Sequence, residues 1–256
     1  MKLEEFSQDD FERASRRLFR SLTRGKTTSS QPKAILLGGQ SGAGKTTIHR
    51  IKQREFQGNI IIIDGDSSRS FHPNYLDLQE KYGKDSVDYT KVFAGQMVDY
   101  LVDELSKKGY HLLIEGTLRT TEVPRKTPQL LATRGYQVSL ALIATKPELS
   151  YLSTLIRYEE LYTIDPRQAR ATPKTHHDGI VEHLVDNLRE LENNKIFNQI
   201  QIYQRDRSCV YDSQVDETSA AEVLQECLFG KWSKVEKEML KLGQERLREF
   251  DTDTKK

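Results

Sequence analysis

Gly39, Gln40, Ser41, Gly42, Ala43, Gly44, Lys45 and Thr46, with Thr47 next, are the residues whose types and spacing most clearly imply chemistry. They satisfy G-x-x-x-x-G-K-[ST] without a mismatch. Glycines let a backbone curl until several N–H groups point inward at phosphate oxygens. A helix opening near Lys45 adds the positive end of its dipole. Lys45 can then reach the β and γ phosphates, and the Thr46 hydroxyl can ligate Mg²⁺. The predicted cofactors are ATP and Mg²⁺. A ligand-free glycine turn is the competing account, and the flanking strand and helix patterns count against it.

A phosphate cradle alone does not distinguish kinases from motors and switches. The discriminating groups belong at the ends of the other strands, where open parallel sheets bind their ligands. Asp64 and Asp66 follow one apolar block, and Glu115 and Thr117 follow another. Asp66, two residues past the strand end, either accepts a proton from a substrate hydroxyl or caps the next turn with Ser67 and Ser68; its position favours the base. Glu115 can hold Mg²⁺ through a water or hydrogen-bond the acceptor, and both remain open. Arg157 and Arg170 lie where small-molecule P-loop kinases carry a lid. A planar, permanent cation there either clamps the transferred phosphoryl group or is a solvated surface residue. His176 and His177 lack partner ligands at metal spacing and read as structural.

These groups need a scaffold, and the apolar pattern supplies one. Short runs at Ala34–Leu37, Ile60–Ile63, His111–Ile114 and Val138–Ala144 read as buried strands, with weaker candidates at Ile200–Tyr203 and Cys209–Tyr211 that form a terminal hairpin. Helical patterns lie between them at Thr46–Phe56, Val87–Lys107, Pro124–Arg134, Glu148–Leu161 and Asp178–Asn193. Residues 1–22 pattern as an amphipathic helix through Phe6, Phe11, Leu18 and Leu22. Alternating strands and helices predict an α/β fold: a central, mostly parallel sheet with helices on both faces and extra C-terminal helices.

The chain of 256 residues is read as one domain. Its catalytic core spans 33–213, with a lid near 157–176, an N-terminal helix and linker over 1–32, and a charged helical tail over 214–256. Lys and Arg number 39 against 38 Asp and Glu, which gives no charge excess to drive binding to a nucleic-acid backbone. Trp232 and the tail's spaced cations read as part of a solvated helix. Two cysteines, Cys209 and Cys227, make no disulfide framework. No signal-peptide core and no membrane-length apolar run appears, so the expected location is the cytoplasm.

Taken together, LLGGQSGAGKT, IIIDGD with His72–Asn74 downstream, GYHLLIEGTLRTTEVP and RYEELYTIDPRQARATPKTHHD resemble the zeta-toxin family of bacterial toxin–antitoxin systems. The match runs in order over roughly residues 33 to 178. The resemblance implies a P-loop kinase-like fold and a kinase that phosphorylates the 3′-hydroxyl of the amino sugar in UDP-N-acetylglucosamine, blocking peptidoglycan synthesis. It implies Asp66 as catalytic base, Lys45 as the P-loop lysine, and Arg157 and Arg170 as phosphate clamps. It implies acceptor contacts at Glu115, Thr117, Arg119, Thr120 and Thr127. Another acceptor contact, a glutamate in the founding toxin, becomes the shorter Asp99. It also implies an antitoxin partner from the same operon that covers the nucleotide site. The alternatives are a P-loop kinase for another small-molecule hydroxyl, such as an antibiotic or nucleoside, and a nucleotide-dependent switch. The lack of an [NT]KxD element counts against the switch.

Overall fold

The computed structural model describes residues 2–165 and 169–253. Its elements, in chain order, are α1 (Gln8–Thr23), β1 (Lys33–Gly38), α2 (Thr46–Glu55), β2 (Ile61–Ile63), α3 (Gly65–Ser68), α4 (Tyr75–Tyr82), α5 (Ser86–Lys107), β3 (Leu112–Glu115), α6 (Glu122–Thr133), β4 (Gln137–Ile143), α7 (Pro147–Ile164), α8 (Lys174–Asn193), β5 (Gln199–Tyr203), β6 (Cys209–Asp212), α9 (Ala220–Phe229) and α10 (Lys234–Asp253). The strands make one sheet in the order β2-β3-β1-β4-β5-β6. Five strands are parallel, and β6 returns antiparallel to β5 as the expected terminal hairpin.

Alternate residues of the central strands feed two cores, as a period of two requires. Ala34 and Leu36 of β1 face α1, α5, α6, α8 and α9, together with Phe93, Met97, Leu101 and Leu105 of α5. Ile35 and Leu37 face the other way, onto Ile48 and Ile51 of α2. The four-residue spacing on α5 puts one apolar stripe against the sheet, worth roughly 1.5–3 kcal/mol per fully buried side chain. The helices therefore occupy both faces unequally, and α10 packs outside the sheet layers on α7.

Most expected elements appear within a turn of their expected ends. α1 starts later than the pattern suggested, at Gln8, because Ser7 and Asp10 form a reciprocal capping box that fixes the first turn. α8 starts a turn earlier, right after Pro173, whose fixed φ suits a helix entrance. The charged tail forms two helices, α9 and α10. The short α4 carries no strong apolar period and went unseen from sequence. Among the described residues, no helix is long and apolar enough to cross a membrane.

Candidate active site

Parallel pairing sends the C-terminal ends of β1, β2, β3 and β4 to one edge of the sheet, and most candidate residues gather there. The phosphate loop leaves β1 at Gly38 and enters α2 at Thr46. Gly39, Gly42 and Gly44 hold φ of +135°, +74° and +103°, a region that side chains avoid. At Gly42 space is equally restrictive, since an added Cβ would lie 2.0 Å from the Ser150 carbonyl oxygen. Helix α7 approaches the loop only because that position lacks a side chain.

The loop is also held from behind. Gln40, fully buried, donates Nε2 to the Thr145 carbonyl at 2.7 Å and to Ser150 Oγ at 3.2 Å. Thr145 Oγ1 donates to the Ala43 carbonyl at 2.8 Å, and Ser150 Oγ meets His177 Nε2 at 2.8 Å. His177 is thus a buried structural residue, as its lack of metal partners suggested. Its neighbour His176 instead lines the cleft, 3.4 Å from an Arg119 nitrogen.

Lys45 reaches back along the loop to the carbonyls of Gly39 and Gln40 at 3.2 and 3.4 Å, and lies 3.6 Å from Glu115 at the end of β3. On its other oxygen, Glu115 meets His49 Nε2 at 2.8 Å. Burial raises the Glu115 pKa, but His49 and the Lys45 charge outweigh it, so the carboxyl stays below its ordinary range. Thr46 stands exposed at the start of α2, with Thr47 partly buried behind it.

Asp64, not Asp66, caps the short helix α3: it accepts from the N–H of Asp66 at 2.9 Å and of Ser67 at 3.2 Å. Asp66 is left with a carboxylate that lines the cleft and accepts from Arg69 Nε at 2.8 Å. The Asp66 side chain stays 70% exposed, so desolvation at the cleft raises its pKa only in part; the Arg69 bond and charge, then Arg170 and Arg157, more than reverse that. Arg69 is itself fixed by bonds to the Val87 carbonyl at 2.8 Å and Thr90 Oγ1 at 3.0 Å.

The main cleft encloses about 800 Å³. Arg69, Lys91, Arg119, Arg157 and Arg170 line it against two carboxylates, Asp66 and Asp88, so it suits an anion. Arg170 comes from the expected lid, where its guanidinium bonds the Tyr75 hydroxyl and sits 5.5 Å from that ring's centre. Residues 166–168 of that lid lie outside the described residues. A neighbouring pocket of about 350 Å³ joins Lys45, Asp66, Glu115, Thr117 and His176. A third, of about 210 Å³, brings together Glu115, Thr117, Arg119, Thr120 and Thr127. Its loop is held at Leu118, whose φ of +56° is stabilised by burial and by a 2.9 Å bond from Asn187 to its carbonyl. Asp99 is outside these pockets, exposed on α5, whereas its neighbour Val98 lines the second of them.

Several residues of the site escaped the sequence reading. His49 lies four residues after Lys45 and Arg69 three after Asp66, both one helical turn away, so helix spacing could have found them. Lys91, also unforeseen, enters the cleft from α5. Arg205, which bonds the phosphate loop from beyond β5, leaves no local trace in the sequence.

A parallel sheet of this order, with a phosphate loop after its central strand and acids at adjacent strand ends, defines a P-loop kinase-like fold. The zeta-toxin profile matches residues 19–216. Toxin PezT of Streptococcus pneumoniae is 71% identical over 250 residues, covering 98% of this chain and 99% of that protein. Toxin zeta of Streptococcus agalactiae is 39% identical over 82% of this chain and 73% of its own length. A solved chain from the PezAT chromosomal toxin–antitoxin system of S. pneumoniae superposes with a TM-score of 0.92 at 69% identity, covering 98% of this chain and 100% of that one. A chain of the AvrRxo1-ORF1:-ORF2 complex shares the fold at a TM-score of 0.63 and 14% identity, over 97% of this chain and 87% of its own. The chain belongs to the zeta-toxin family and is of the PezT type.

Proposed function

We propose that this chain is the toxin of a toxin–antitoxin pair and acts as a kinase. It transfers the γ-phosphoryl group of ATP to the 3′-hydroxyl of the amino sugar of UDP-N-acetylglucosamine, which blocks peptidoglycan synthesis. One observation carries the reading: Lys45, Asp66, Glu115 and Thr117 open onto one pocket, beside a cleft crowded with cations. A nucleotide phosphate on one side and an acceptor bearing its own diphosphate on the other both suit that charge.

In this reading the phosphate-loop amides and Lys45 hold the triphosphate, and Asp66 orients and deprotonates the incoming hydroxyl. Arg157 and Arg170 stabilise the charge spread over the transferred group. Glu115, Thr117, Arg119, Thr120 and Thr127 grip the acceptor. Among the described residues no group of three or more His, Cys, Asp or Glu side chains could hold a metal. That fits an ion bound largely by phosphate oxygens, as Mg²⁺ usually is, with Thr46 as ligand and Glu115 reached through water. Mg²⁺ there would neutralise phosphate charge. The antitoxin partner is supported by the likeness to a chain from a toxin–antitoxin system.

The test is direct. Purified protein incubated with ATP and UDP-N-acetylglucosamine should yield a sugar nucleotide heavier by one phosphate. Asp66→Thr should lower that yield by about 10² to 10⁴ while keeping ATP binding. Turnover only with an antibiotic or nucleoside would reassign the acceptor, and acceptor-independent hydrolysis would end the kinase reading.

A further inference from the structure

A phosphate loop that turns its N–H groups inward presents carbonyl oxygens to its outer side, and these need donors. One side chain serves two of them. Arg205, two residues beyond β5, donates Nη2 to the Gly42 carbonyl and Nε to the Ala43 carbonyl, the latter at 3.2 Å. Its Nη2 also donates to Ser153 Oγ on α7 at 2.8 Å. Its stem runs along the loop, with Cγ 3.6 Å from where a Cβ at Gly44 would stand.

The guanidinium is partly buried, and desolvation alone pulls its pKa down, with no carboxylate among the described residues acting on it. A partly desolvated cation without a counter-ion carries a cost to the folded chain. The two carbonyl dipoles offset part of that cost. A polyphosphate on the inner side of the same loop would offset more, across little more than the thickness of one peptide chain.

We infer that Arg205 is a positioning residue for the nucleotide: it clamps the outward carbonyls so that the inward amides stay aimed at phosphate, and the bound polyphosphate supplies its counter-charge. This rests on reading the loop as an ATP cradle. A residue 162 positions away in sequence from Ala43 thereby becomes part of the nucleotide site.

The experiment compares ATP and AMP binding by calorimetry in the full-length wild type, Arg205→Met and Arg205→Lys. Arg205→Met should lose about ten- to hundredfold in ATP affinity, the scale of a charge-assisted hydrogen bond, with AMP affinity little changed. Arg205→Lys, which keeps the charge but not the fork, should recover part of that loss. The inference fails if Arg205→Met binds ATP like the wild type, if it loses ATP and AMP alike, or if Arg205→Lys is no better than Arg205→Met. Should Arg205→Met not fold, the inference still requires Arg205→Lys to lose ATP affinity selectively over AMP, and fails if it does not. A wild type that does not bind ATP would overturn the cradle and the inference together, whereas equal binding by wild type and variants would overturn the inference alone.

Discussion

At Asp66 two influences oppose one another. The cleft walls disfavour its charged form, while Arg69, Arg170 and Arg157 favour it and prevail. A carboxyl whose folded pKa is depressed stays ionised until pH falls through that low value. As a base it is therefore ready at neutral pH, and its acid limb should lie below the ordinary carboxylate range. Arg69→Gln removes the nearest bond and charge, and should move the acid limb of kcat/KM upward. A limb that stays in place would show that Asp66 is not the group titrating. Arg157→Ala or Arg170→Ala should cut kcat by about 10³ and leave ATP affinity nearly intact, because a clamp on the transferred group acts in the transition state. Steady-state kinetics with ATP varied would reveal the opposite pattern, a rise in KM alone, if these arginines served only ground-state binding.

The phosphate loop at the scale of an element is a strand-to-helix turn wedged between α2 and α7. Its shape depends on missing side chains, most acutely at Gly42, where φ and the nearby Ser150 carbonyl both exclude a Cβ. Gly42→Ala should abolish the thermal stabilisation given by ATP and destabilise the protein by more than about 1 kcal/mol, since the native backbone angle is one alanine avoids. Unchanged ATP-induced stabilisation would mean that α7 gives way easily. α7 contributes more than Arg157: Gly243 of α10 packs close enough that a Cβ would lie 2.7 Å from Leu152 Cδ2. The lid helix is therefore braced on its outer side by the tail.

Across the whole molecule, one sheet edge collects the chemistry while two cores of unequal size hold the sheet. The larger core includes a cluster of rings in which Phe93, fully buried, lies 5.0 Å from Phe6, 5.6 Å from Phe11 and 5.1 Å from His72. This cluster ties the N-terminal segment to α5 and to the chain just beyond Asp66. His72 Nε2 faces the Glu4 carbonyl at 3.4 Å, and Asn74 Nδ2 donates to the Leu3 carbonyl at 2.9 Å. Phe93→Ala should cost about 3–5 kcal/mol, measured by urea unfolding. A loss under 1 kcal/mol would show that the cluster collapses to fill the cavity.

Local chemistry was legible in the chain itself. The glycines and Lys45 of the cradle, the acids at strand ends and the alternation of apolar blocks are all short-range patterns. Spacing alone can express them, because a turn, a strand and a helix stripe each depend on neighbours a few residues away. Which alternative each residue took was decided by contacts between distant segments. Asp64 assumed the capping role and left Asp66 to the cleft, His177 was drawn into the core while His176 stayed at the site, and Asp99 came to lie outside the pockets. Arg205 closed on a loop at the far end of the sequence. Those outcomes follow from strand order and helix docking, which bring together groups that no local pattern connects.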